Sequence, residues 1–376
     1  MVDNKWAEFW WDKITDANIV VTKVVSALRD NKMVVLEVPD DLPWRAELRN
    51  SIELTLRSNV SSEDFVIQFI DDADDCNGEE PGLFLLNRFA KERDVRTGYR
   101  SASTRSIQEY IIDNKVLGNT IIWVKGLDTK RAKDWIKFCK GYNSASITNG
   151  LFVLEIKEIS EIRDVGNAEK ISYSRHVKKF DVQLFNSLIL GSEHGGSSRW
   201  KNYISTLSAE LCGTDAQISA ELIDCCDLKT KEPTEGLELI CENEEFRKRG
   251  SDSESKHILA YYRNGNHDEI KKRIWSAQLK VLFPIIEKAR LEYIELYKSE
   301  IANSLSYGNV KQFDEIVTVP EDVELGTLHY LVSNHKINMN SQIDRDRIAF
   351  LRDCRNKIAH MDYCNIDEVQ RLLTKE

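Results

Sequence analysis

Near the end of the chain, the run Arg352-Asp353-Cys354-Arg355-Asn356-Lys357-Ile358-Ala359-His360 sets an arginine, an amide and a histidine in the spacing Arg-Asn-x-x-x-His. An imidazole, with a free pKa of about 6.5, moves protons well near neutral pH. A guanidinium grips a phosphate through two parallel N–H donors and stabilises charge that builds on it. Together these groups suit scission of an RNA phosphodiester. Without a metal, that reaction needs a base for the ribose 2′-OH, a cation on the phosphate and a proton for the leaving 5′-oxygen. In this scheme His360 is the base or the acid and Arg355 holds the phosphate. Asn356 is neutral and is assigned to orienting backbone or the histidine.

These residues need a helix to carry them. Ile348, Leu351, Cys354 and Ile358 fall on one apolar stripe, so a helix is expected from Ile343 to about His360, seated in a bundle. Residues five apart on a helix point about 140° away from each other. Arg355 and His360 therefore close poorly on one phosphate unless the helix ends between them, or unless a two-fold dimer sets two such helices together. Arg352, Asn356 and His360 stand at four-residue steps and share a face, which makes Arg352 a second phosphate or RNA contact. A plainer alternative makes Arg355 a surface ion-pair residue and His360 a helix C-terminal cap, where cations are favoured.

The segment Arg355-Asn356-Lys357-Ile358-Ala359-His360 resembles the Arg-x4-His motif of the HEPN superfamily, in the form with a polar residue after the arginine. Two upstream segments, Arg273 to Pro284 and Val323-Glu324-Leu325-Gly326-Thr327-Leu328-His329-Tyr330, resemble the C-terminal region of bacterial proteins that join a P-loop-ATPase-like front to a HEPN-like rear. The resemblance covers about the last 110 residues; over the front it is architectural only. It implies an all-α bundle that works as a homodimer, cuts RNA without metal and serves in bacterial anti-phage or toxin-like systems, alone or with other subunits of a defence complex. The rival expectation is a regulatory or scaffold subunit in which the HEPN-like bundle is inactive.

Upstream, short apolar runs at 33–38, 65–70, 120–124 and 151–156 alternate with helix-length segments, the pattern of a mainly parallel sheet covered on both faces. The fold class expected is α+β and multidomain. An α/β domain like a degenerate P-loop NTPase spans residues 1–165, a mainly helical middle segment and linker spans 166–250, and a HEPN-like helical domain spans 255–376. The polar stretch Lys229 to Ser255 is the expected linker.

The turn after the first strand, Val38 to Ala46, lies where a phosphate loop would lie. It puts Pro39 and Trp44 where that loop needs glycines, Arg45 for its lysine and Ala46 for its hydroxyl. Asp40 and Asp41 would repel phosphate, so ATP hydrolysis is not expected there. Gly126 and Asp128 resemble a Walker B element only faintly. The acidic run Asp71 to Glu80 fails the calcium-loop template and is expected to be a solvated loop. Trp6, Trp10 and Trp11 are expected in the core. The histidine pairs His257/His267 and His329/His335 lack ligand spacing, and no metal or cofactor is expected.

Composition bounds the function classes. The chain has 376 residues, 41% hydrophobic and 30% charged, with a formal charge of −10. Acidic and basic side chains balance from Ser255 onward, so the excess negative charge lies upstream and a phosphate-backbone partner is expected at the C-terminal part. Eight cysteines without a Cys-x-x-Cys pair read as reduced thiols. With no signal peptide and no apolar run of membrane-span length, a cytoplasmic protein is expected.

Overall fold

The computed structural model describes residues 4–58, 65–100, 105–142, 147–157, 165–193, 197–251, 255–307, 310–312, 314–339 and 341–374. The protein is a mixed α/β chain with one five-stranded parallel sheet and many helices. It divides into two compact units, Met1–Asp181 and Val182–Glu376.

The first unit is built on strands β1 (Val34–Glu37), β2 (Val66–Asp71), β3 (Thr120–Leu127), β4 (Leu151–Ile156) and β5 (Glu169–Ser172). Their spatial order is β2-β3-β4-β1-β5, and every pairing is parallel. Parallel neighbours need crossovers, and the helices between the strands provide them. The two strands at the heart of the sheet, β1 and β4, are buried along their whole length, as expected for strands covered on both faces. One face packs Val35, Ile122, Val124, Phe152 and Leu154 against Trp135 and Phe138 of the helix Thr129–Gly141. Trp6, Trp10 and Trp11 are buried, as the sequence suggests.

Three expectations are corrected in detail. The sheet takes in β5, beyond the boundary near residue 165, which the sequence did not show because three of the four residues of this short strand are polar and its pattern is too weak to read. The polar stretch 229–255 is not a linker: it carries the helix Pro233–Glu242, whose Gly236 packs against Leu222 and Cys226. Residues 252–254 of that stretch lie outside the described residues. The acidic run 71–80 is not simply solvated either. Asp72 is 4% exposed and takes hydrogen bonds from Arg131 and Trp135 at 2.7 Å. Burial pulls its pKa upward, but those two donors outweigh burial and hold the carboxyl below its ordinary value.

The second unit is helical apart from a pair of two-residue strands among its described residues. Its backbone is the 30-residue helix His267–Leu296, which buries Ile270, Ile274, Ala277, Gln278, Val281 and Leu282 along one stripe. Against it lie Ser198–Cys212, Gln342–Ala359 and Ile366–Leu373. Among the described residues no helix is long and apolar enough to cross a membrane.

Candidate functional site

The helix Gln342–Ala359 starts on Ser341, whose hydroxyl accepts from the Asp344 amide at 3.2 Å. It buries Ile348, Leu351, Cys354 and Ile358, the stripe read from sequence, and turns Arg352, Arg355, Asn356 and His360 outward. Its C-terminal end is tightly specified. His360 is the C-cap, Met361 takes a left-handed φ of 62°, and the Asp362 amide reaches back to the Lys357 carbonyl at 2.9 Å. With the Met361 amide on the Ile358 carbonyl at 3.3 Å, this is a Schellman closure without its usual glycine.

The long helix locks that end from beneath. Trp275 Nε1 donates to the Ile358 carbonyl at 2.6 Å. Buried Gln278 clamps Cys364 twice, accepting from its amide at 2.7 Å and donating to its carbonyl at 2.8 Å. Lys357 is held by Glu368 at 2.7 Å, and Glu368 also closes the capping box at Asn365.

Each expected site residue can now be placed. His360 and Asn356 are exposed, and neither side chain makes a hydrogen bond or ion pair with a described residue. Arg355 and Arg352 keep 28% and 30% of their side-chain surface, and each has partners. Arg355 Nη2 lies 3.0 Å from Glu324 Oε2. Arg352 donates to Asp353 Oδ1 at 2.6 Å and approaches His329 Nδ1 at 2.8 Å. The ion-pair and C-cap positions foreseen for Arg355 and His360 are thus both occupied, and both residues still face solvent.

Glu324 and His329 come from the N-cap and the body of the neighbouring helix Leu325–Ser333, which packs against the motif helix. Its start is pinned by Gln312, whose Oε1 accepts from the Glu324 amide and the Thr327 hydroxyl, both at 2.9 Å. Arg290 binds the carbonyls of Glu321 and Val323 just before it. Glu324 pairs with Arg355 and, further along, His329 pairs with Arg352. The two helices therefore run antiparallel, with both guanidinia in the groove between them. Burial and the Arg352 charge hold the His329 pKa below its ordinary value.

The chain matches no protein-family model and no curated protein.

Sequence reasoning missed Glu324 and His329. Both sit in the segment quoted for its resemblance, but His329 was weighed only as a metal ligand with His335. No spacing rule links position 329 to 352; only the packing of two helices does.

At the front, the loop after β1 and the ends of β3 and β4 enclose a cleft of about 520 Å³ lined by Asp40, Arg45, Gly126, Asp128, Glu155 and Lys157. Its charges are matched internally. Arg45 binds Glu155 and the carbonyls of Pro39 at 2.6 Å and Asp40 at 3.1 Å. Lys157 pairs with Asp40 at 2.7 Å. Glu155, nearly inaccessible at the end of β4, also takes Arg49 at 2.8 Å and Trp123 Nε1 at 2.9 Å. Burial raises its pKa, but Arg45 and Arg49 together bring it below the ordinary value. Asp128, the Walker B-like residue, caps the helix Thr129–Gly141 by accepting from the Arg131 amide at 2.7 Å. In this turn, loop carbonyls converge on a guanidinium, the reverse of a cradle in which amides converge on phosphate.

Proposed function

We propose that this chain is a metal-independent endoribonuclease of the HEPN type, with its site at the C-terminal end of the helix Gln342–Ala359. The observation that carries the reading is the surface of that one helix, where Arg352 and Arg355 are partly exposed and His360 is exposed. The helix ends at Ala359, and His360 is its C-cap. The guanidinia hold the scissile phosphate, His360 transfers a proton, and Asn356 orients the RNA or the histidine. The second unit then serves as a HEPN-like bundle that forms a homodimer, and the first as a degenerate P-loop-like domain. The setting proposed is bacterial defence or a toxin-like system.

The test is incubation of the purified full chain with labelled single-stranded RNA, with and without EDTA. Cleavage should persist in EDTA and disappear in His360→Ala and Arg355→Ala, with folding and oligomeric state unchanged. Equal cleavage by both variants would remove the assignment.

A second reading is favoured by the ion pair between Arg355 and Glu324. If that pair is permanent, the bundle is a binding or dimerisation module in a regulatory or scaffold subunit. The purified protein would then turn over no RNA.

A further inference from the structure

Cleavage by 2′-OH attack takes two proton transfers, and His360 is one group. The sequence assigns no residue to the other. The tertiary structure offers one. His329 is half-buried on the helix Leu325–Ser333, with its ring nitrogens 2.8 and 3.1 Å from Arg352 Nη1. On the motif helix, at about 100° per residue, Arg352 lies about 60° from Arg355 on one side and about 80° from His360 on the other. Exposed Asn356 falls between Arg352 and His360 on that arc, and exposed Ala359 falls between Arg355 and Arg352.

We propose that His329 is the second proton-transfer residue of the site, working with Arg352 and His360 across the groove between the two helices. This rests on the ribonuclease reading. The resting contact has Arg352 donating toward Nδ1, the nearer ring nitrogen, which keeps a lone pair there. When RNA binds, the phosphate takes over the Arg352 donors and the lone pair is released. Neutral His329 then accepts the 2′-OH proton as O2′ attacks phosphorus. The P–O5′ bond breaks, and protonated His360 delivers its proton to O5′. The products are a 2′,3′-cyclic phosphate and a free 5′-hydroxyl, with His329 protonated and His360 neutral.

The charged groups facing His329 are Arg352 and Asp353 on the motif helix; Ser333, on its own helix, is 3.3 Å away. Burial and the Arg352 charge favour neutral imidazole, the form a base needs at the start of the cycle.

The test compares the full-length wild type with His329→Ala, His329→Gln and His360→Ala on a labelled RNA, and measures binding on a 2′-deoxy analogue that cannot react. His329→Ala and His329→Gln should each lower the cleavage rate about 100- to 10,000-fold, while binding of the analogue stays within about threefold. Free imidazole should restore part of the His329→Ala rate, which a purely structural role would not allow. The acid limb of the wild-type kcat/KM profile should bend below pH 6.5, the ordinary histidine value, and move upward in Arg352→Gln. Wild-type RNA cleavage with undiminished rates in both His329 variants would overturn this inference alone. So would binding lost in parallel with rate and no imidazole rescue. A wild type that cleaves nothing would overturn the ribonuclease reading and this role with it.

Discussion

Arg355 Nη2 lies 3.0 Å from Glu324 Oε2, and both side chains remain about a third exposed, at 28% and 37%. The carboxylate stands where a phosphate oxygen would have to stand to be held by Arg355. Glu324→Gln should therefore raise affinity for single-stranded RNA severalfold at low salt, with the gain shrinking as salt is added. Because the pair is exposed, the substitution should change stability by no more than about 1 kcal/mol. Fluorescence anisotropy across a salt series, with a thermal melt beside it, checks both. Unchanged or weaker binding would mean that Arg355 does not receive phosphate.

Met361 follows His360 with φ at 62° and is 63% exposed. A side chain in that conformation costs about 1 kcal/mol relative to glycine. Met361→Gly should accordingly stabilise the protein by about that amount in urea unfolding, since the Schellman closure is kept and little packing is lost. A destabilised variant would show that the methionine side chain is held by a contact made outside this chain.

Gln278 is the pin under the C-terminal end of the motif helix. Replacing it with leucine would orphan the buried Cys364 amide and carbonyl, at about 1–3 kcal/mol for each group left unsatisfied. The expected result is a lower urea midpoint, together with loss of amide protection around residues 360–365 in hydrogen exchange. Equal protection in the variant would sink the pinning role.

Glu155 gives the first unit an acid limit. Its folded pKa lies below its ordinary 4.5, so the unfolded chain binds the extra proton. Its contribution is therefore complete above that value and is lost as pH falls through the depressed one. The wild type should lose stability below about pH 4.5 more steeply than Glu155→Gln. At neutral pH the same variant should be weaker by about 3 kcal/mol, because Arg45 and Arg49 lose their buried partner. Chemical unfolding from pH 3 to pH 7 reads both effects; parallel curves would contradict them.

Periodicity alone determined much of this protein. Four of the five strands of the parallel sheet and the motif helix with its buried stripe follow from runs of apolar residues, because burial of a face must repeat with the period of the element. Which residues could do proton and phosphate chemistry was also legible, since Arg352, Arg355 and Asn356 lie within one helix of known period and His360 caps it. Tertiary packing decided the rest. β5 exists because β1 offers an unpaired edge, not because its own residues insist on it. Asp72 reads as a surface acid, and Glu155 as one member of an apolar run, until Arg131, Arg45 and Arg49 are seen beside them. His329 meets Arg352, and Glu324 meets Arg355, only because two helices distant in sequence pack side by side. A linear pattern encodes which face of a helix is buried; the neighbour that the other face meets is set by how the helices pack.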